Sequence, residues 1–239
     1  MIFIKTHKDF NFDIIPIYKE NYNDFSIICR EKLQDNYPIN VIYDNDNFFN
    51  KWSNLYGELT YHYYVYKHIN EYGNIIGLLQ YKRFTNEYVL NNYKEILNKY
   101  DIILPNKMSF KKIYGPNSNI INQYNLCHIY GLLEDIMNLI YEYIPSYKSI
   151  DLCNIDYIIP HNIFIMKKQD YIDYCRFIFW CYKIFNLIYH IYDKVNDKEY
   201  LRILSFLNER ISTIFFIKHF INNDKKIFYY EQDWNFQIE

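Results

Sequence analysis

Short apolar runs bounded by polar clusters dominate the first half of the chain, and longer runs with helical spacing dominate the second. The clearest short run is Ile75-Ile76-Gly77-Leu78-Leu79. It is uncharged, too short for a helix and rich in aliphatic and β-branched side chains, which is the pattern of a strand buried on both faces. Residues 2–6, 25–29, 39–43 and 101–105 read as further strands. Residues 14–18 read as an edge strand or a loop approach, because Pro16 cannot donate to a ladder. Leu59, Tyr63, Tyr66 and Ile69 recur at helical spacing, so a helix is predicted over 57–69, closed by Gly73. A short helix follows at 91–99, and 106–119 reads as a loop turning at Gly115-Pro116-Asn117-Ser118. Helix is predicted over 120–143, 169–191 and 197–220, paired strand segments bent at Pro160 over 157–166, and a polar-aromatic tail after the last helix. Strands alternating with helices, then mostly helices, predict an α/β domain with a mostly helical C-terminal half.

The buried run at 75–79 leads into Gln80-Tyr81-Lys82-Arg83. Ligands of open α/β sheets bind outside the carboxyl ends of the strands. Lys82 and Arg83 there suit a phosphate or diphosphate, or else form a solvated basic turn. Asp44-Asn45-Asp46 follows another predicted strand, and two carboxylates one residue apart can hold Mg²⁺ or Mn²⁺. The same run is also ordinary turn chemistry. His161 and Asn162 follow Pro160 at a strand entrance, where they can bind sugar hydroxyls or satisfy a bent backbone. Glu209 and Arg210 lie among apolar helix neighbours, as a structural ion pair or as groups facing a cavity.

Composition narrows the classes. The 239 residues include 29 Tyr and 18 Phe but no Ala, a bias that makes tyrosine clusters poor evidence for a stacking platform. A net charge of −2 with scattered Lys and Arg argues against a nucleic-acid partner. Five dispersed cysteines form no metal spacing and read as reduced thiols of a cytoplasmic protein. Charges interrupt the apolar stretch 171–192, so it does not read as a membrane span, although peripheral membrane contact through an aromatic helix stays open beside the core-helix reading. GxGxxG, phosphate-loop, GxSxG and HExxH motifs are absent.

Five segments in order carry a family resemblance: Gly57-Glu58-Leu59-Thr60-Tyr61, Ile76 through Phe84, Tyr100 through Pro105, His161 through Lys168, and Leu207-Asn208-Glu209-Arg210. Together with the opening Lys5-Thr6-His7-Lys8, the chain resembles the glycosyltransferase-like family catalogued as domain of unknown function 4422, found in capsular and exopolysaccharide biosynthesis. The chain departs from the family in having Gln80-Tyr81-Lys82-Arg83 for His-Tyr-Arg-Arg and Asn208 for Ser. The acidic loop lacks its usual glycine, and residues 19–56 match poorly.

The resemblance implies a GT-A-like Rossmann-type sheet in one domain over 1–239. Residues 1–105 would bind a nucleotide-sugar, and the helical part over 120–220 would hold a glycan or other hydroxyl acceptor. It implies hexosyltransferase-like activity, with Lys82 and Arg83 on the leaving diphosphate and Glu209 as general base, Arg210 being its orienting partner or a second phosphate contact. Glu58 is the reserve base. Thr6, His7, Lys8, Glu58, Tyr81 and Arg210 would contact the donor, and His161 and Asn162 the acceptor. Metal is then not required, or Mn²⁺/Mg²⁺ sits at Asp44 and Asp46. The competing expectation is a catalytically inactive sugar-binding or scaffold member of the same fold.

Overall fold

The computed structural model describes residues 1–44, 51–83 and 86–231. The short apolar runs form β1 (Ile2–Lys5), β2 (Phe25–Cys29) and β3 (Asn40–Tyr43). Helices α1 (Ser53–Tyr56) and α2 (Leu59–Lys67) lead to β4 (Ile75–Gln80), α3 (Glu87–Lys99) and β5 (Ile102–Pro105). Next come β6 (Met108–Ser109), α4 (Lys111–Tyr114), α5 (Ile120–Cys127), α6 (Leu132–Tyr143) and β7 (Tyr157–Ile158). The chain continues through β8 (Phe164–Lys167), α7 (Lys168–Tyr189), α8 (Ile203–His219) and β9 (Ile227–Tyr230).

Seven strands make one sheet in the order β3-β2-β1-β4-β8-β5-β9, with β6 and β7 forming a separate antiparallel ribbon. β8 is the antiparallel member, paired to both β4 and β5, while the other neighbouring strands pair in parallel. Because side chains alternate across a strand, β1 sends Phe3 into one core and Ile2 and Ile4 into the other. The first core holds α2 and α5 to α8; the second packs Val89, Leu90, Tyr93, Ile96 and Leu97 of α3 on the opposite face. Covering both faces explains why these strands read as unbroken apolar runs. Gly77 in β4 is required by this packing. A Cβ there would lie 2.5 Å from Ile2 Cδ1 and 3.1 Å from Ile165 Cγ1.

The mixed α/β fold expected from the alternation of elements is present, and several local expectations are corrected. Of the two readings of residues 14–18 the loop approach holds and the edge strand does not: a 3-10 turn covers Phe12–Ile14, and Ile17 N–H bonds back to Ile15 O at 2.8 Å. The single helix expected over 120–143 is two, broken where Gly131 takes φ 79° and donates its N–H to Asn125 Oδ1. The segments around Pro160 do not pair with each other; β7 joins the ribbon and β8 the main sheet. The tail supplies β9, parallel to β5. The loop over 106–119 contains β6 and α4. The aromatic stretch 171–192 is core: Tyr171, Tyr174, Cys175, Cys181, Tyr182 and Phe185 of α7 are buried. Among the described residues no helix is long and apolar enough to cross a membrane. All five cysteines are free thiols.

Candidate active site

The strand order places a switch point beside β1: from β1 the chain runs outward to β2 and β3, then crosses to β4 on the other side. Loops leaving adjacent parallel strands in opposite directions open a crevice at their carboxyl ends. The described residues form a cavity of about 750 Å³ there, lined from β1, β4, the segment 161–162 and the start of α8. The antiparallel setting of β8 explains how residues so distant in sequence arrive. Leu78 pairs with Phe164, so the entrance to β8 lies at the exit of β4.

At the floor, Lys5 is buried at the last position of β1, in register with Gln80 of β4. Its Nζ donates to Asn162 O at 3.0 Å and stands 3.4 Å from Glu58 Oε2. Gln80 Nε2 donates to the same Glu58 oxygen and to His161 O at 2.9 Å. Burial lowers the Lys5 pKa, and Glu58 opposes the shift. His161 and Asn162 take positive φ values of 72° and 51°. Left-handed residues other than glycine carry a conformational cost, and a surrounding structure that over-determines them holds them in place. Here both carbonyls are bound, to Gln80 and Lys5, and Asn162 Oδ1 accepts from Asn208 Nδ2 at 2.8 Å.

The turn also holds Glu209. His161 N–H donates to Glu209 Oε1 at 3.0 Å, and Arg210 Nη1 donates to Oε2 at 3.1 Å. The carboxylate side chain is 19% exposed, open to the cavity. Burial raises its pKa, Arg210 pulls it down and Glu58 pushes it further up. Arg202, Ser205, Phe206 and Glu209 all line the cavity. Their spacing of three, four and seven residues puts them on one face of α8 and its N-terminal cap.

After β4 the chain turns tightly, Arg83 N–H donating to Gln80 O at 3.1 Å. Lys82 stands exposed at the tip and Arg83 folds back half-buried, and both line the cavity. Burial lowers the Arg83 pKa, with Glu209 and Glu58 opposing. Five basic side chains (Lys5, Arg30, Lys82, Arg83, Arg202) face three acidic ones (Glu31, Glu58, Glu209) around the cavity.

Of the residues singled out from sequence, Thr6, His7, Glu58, Tyr81, Lys82, Arg83, His161, Asn162 and Glu209 line this one cavity. Tyr81 OH lies 3.3 Å from His7 Nε2, and Thr6 O accepts from Tyr61 OH at 2.8 Å. The remaining candidates lie outside the cavity wall. Lys8 is exposed and is not among the lining residues. Of the two places expected for Arg210, it takes the one behind Glu209, buried, with Nε and Nη2 donating to Gln123 Oε1 and Nη1 to Phe206 O, and it is not among the lining residues. Asp44 is buried at the end of β3, its N–H bonded to Cys29 O, and does not line the cavity; Asp46 lies outside the described residues. Among the described residues no cluster of three or more His, Cys, Asp or Glu is arranged to hold a metal ion.

Sequence reading missed Lys5, Gln80, Arg30 and Arg202. The helical spacing from Arg202 to Glu209 was a usable signal for the last.

These features define a mixed α/β protein whose cavity lies at the carboxyl edge of a mostly parallel seven-stranded sheet. The model of the family described as "Domain of unknown function (DUF4422)" matches residues 1–220, and the chain belongs to that family. Among solved structures it is similar to one titled "WbbM bifunctional glycosytransferase apo structure", with a TM-score of 0.66 and 20% sequence identity. The match covers 97% of this chain but only 44% of that one, so the chain spans less than half the length of its structural neighbour. No curated protein matches it in sequence.

Proposed function

We propose that this chain is a glycosyltransferase that moves a sugar from a nucleotide-sugar donor to a hydroxyl of a glycan or other acceptor. One observation carries the reading: a largely buried carboxylate and an excess of basic side chains share one cavity at the switch point of the sheet. Family membership and a fold shared with a glycosyltransferase support it. The sheet with its single antiparallel strand next to the switch point is read as GT-A-like, one domain over the whole chain, and a role in polysaccharide assembly follows from the family's setting.

Transfer breaks the bond between the anomeric carbon and the β-phosphate oxygen, so negative charge grows on the departing diphosphate. Lys82 and Arg83, with Arg202 of the same cavity wall, are assigned to receive that charge. Fixed cations aimed at developing charge stabilise the transition state more than the ground state. Glu209 takes the proton of the acceptor hydroxyl as it attacks. His161 N–H and Arg210 hold one carboxylate oxygen each, which leaves the remaining lone pairs for the acceptor. Glu58 is read as structural: Lys5 and Gln80 already engage it. His7 and Tyr81 are assigned to the donor, and His161 and Asn162 to the acceptor side.

The test is a panel of UDP-, GDP- and dTDP-sugars, read first by thermal shift and then by donor breakdown. Stabilisation by one nucleotide class with turnover supports the reading. Binding without turnover, or no binding at all, sinks the transfer reading and leaves the chain as the catalytically inactive sugar-binding or scaffold member of its fold.

A further inference from the structure

The side chain of Gln80 is fixed through one atom and open at another. Its Nε2 donates to Glu58 Oε2 and to His161 O, the latter at 2.9 Å. A carboxylate and a carbonyl only accept, so the amide cannot be turned end for end without losing both bonds. With both N–H groups committed and the amide planar, the direction of Oε1 is set. Among the described residues nothing donates to Oε1, and it is not a buried atom. Gln80 lines the main cavity, so this oxygen is left for whatever occupies it.

Gln80 also stands between the two halves of the proposed chemistry. Arg83 N–H donates to Gln80 O at 3.1 Å, which ties the Lys82-Arg83 turn to this residue. On the other side His161, whose carbonyl holds the amide, presents its N–H to Glu209 Oε1 at 3.0 Å. A sugar in transfer lies between the diphosphate it leaves and the hydroxyl that attacks it. The nature of the atom narrows what it can meet there. Lys and Arg side chains of the cavity only donate, and an ionised phosphate oxygen has no hydrogen to give to a carbonyl. A free ring hydroxyl has one.

We infer that Gln80 Oε1 accepts a hydrogen bond from one ring hydroxyl of the transferred sugar, and so restricts the donor to sugars with a free hydroxyl at that ring position. The inference rests on the transfer reading above and narrows its donor. Gln80 is then a specificity-determining contact, held in place by Glu58 and the turn at His161. When the hydroxyl is missing, the loss exceeds the worth of one bond, because a desolvated carbonyl is left without a partner.

The experiment takes the donor found by the nucleotide-sugar panel and its monodeoxy counterparts, one ring position at a time, with the full chain. One deoxy donor should lose about tenfold or more in kcat/KM, and in affinity by titration calorimetry. Gln80→Lys keeps a donor for Glu58 and His161 O but offers no acceptor. In that variant the penalty at the sensitive position should fall to about one while penalties elsewhere persist. Comparing ratios between proteins cancels the intrinsic reactivity of each deoxy donor. A residue that merely supported the turn would weaken all donors alike and leave the ratios unchanged. Gln80→Met removes donor and acceptor together, and should erase the same penalty on top of a general loss. It carries the test if the lysine variant does not fold, which circular dichroism checks.

The calorimetric arm needs no turnover. A position-specific penalty in affinity, erased by the variants, supports the inference even where no donor breaks down, in which case the transfer reading alone fails. Turnover with no sensitive ring position, or a penalty that survives both variants, overturns the inference and leaves the transfer reading standing. Binding of no nucleotide-sugar overturns both.

Discussion

Asn208 is the hinge between the core and the proposed chemistry, and replacing it should damage both. It is fully buried on α8. Its Nδ2 donates to Asn162 Oδ1 at 2.8 Å and to Tyr174 OH at 2.9 Å, and its Oδ1 accepts from Tyr182 OH. Asn208→Ala removes three hydrogen bonds, each worth about 1 kcal/mol net. The partners fare differently. Tyr174 OH keeps Ser212 Oγ at 2.8 Å and Tyr182 OH keeps Leu204 O at 3.4 Å, whereas Asn162 Oδ1 loses the contact that ties its left-handed backbone down. A loss of about 3 kcal/mol is expected, or a fall in Tm of roughly 6–12 °C for a chain of this size.

Activity should fall beyond what unfolding explains, because the relaxed turn withdraws His161 N–H from Glu209. Urea denaturation measures the first effect, and donor turnover on the fully folded fraction measures the second. Asn162→Gly supplies the internal control. It removes both the stranded oxygen and the cost of φ 51°. In the Asn208→Ala background it should therefore recover about 1 kcal/mol or more, a coupling readable in a double-mutant cycle. A loss under 1 kcal/mol for Asn208→Ala, or additivity of the two changes, would refute this account of the turn.

Glu209→Gln should lower turnover by about 10²–10⁴-fold, the usual range for a general base. The pH profile gives the sign: with the Glu209 pKa raised by burial, the rate falls on acidification from above the ordinary carboxylate range, and the glutamine variant lacks that limb. Arg83→Ala should cost about 10²-fold in kcat, with little change in thermal stability, if its guanidinium meets the leaving diphosphate. An equal loss in nucleotide affinity alone would make it a ground-state contact. Gly77→Ala should destabilise by about 1–3 kcal/mol in urea, and adding Ile2→Val, which removes the Cδ1 atom 2.5 Å from the new methyl, should recover part of it.

The site was legible where chemistry sits on a local pattern. Lys82 and Arg83 announce themselves because they interrupt the exit of an apolar strand, and Glu209 with Arg210 because charges flanked by apolar helix residues must be accounted for. Lys5 was hidden by the same logic: it closes β1, and a terminal lysine reads as solvated until β4 and residues 161–162 enclose it. Sequence puts Arg210 beside Glu209 without saying which way it faces, so it leaves two roles open; Gln123, 87 residues away, holds the guanidinium. The tail was read as irregular because Ile227–Tyr230 is a half-buried edge strand, whose alternation is weak and whose ladder exists only where β5 offers it.

The sequence by itself determined the alternation of strands and helices, the two-sided burial of β4 and the presence of cations at its exit, because periodicity and side-chain chemistry are local properties of the chain. Tertiary structure alone decided that β8 enters antiparallel between β4 and β5, that β7 and β8 part into different sheets, and that Lys5, Glu58, Gln80, His161 and Glu209 meet. Those are pairings between residues tens to hundreds of positions apart. Their energies come from burial and hydrogen bonding that no local window contains.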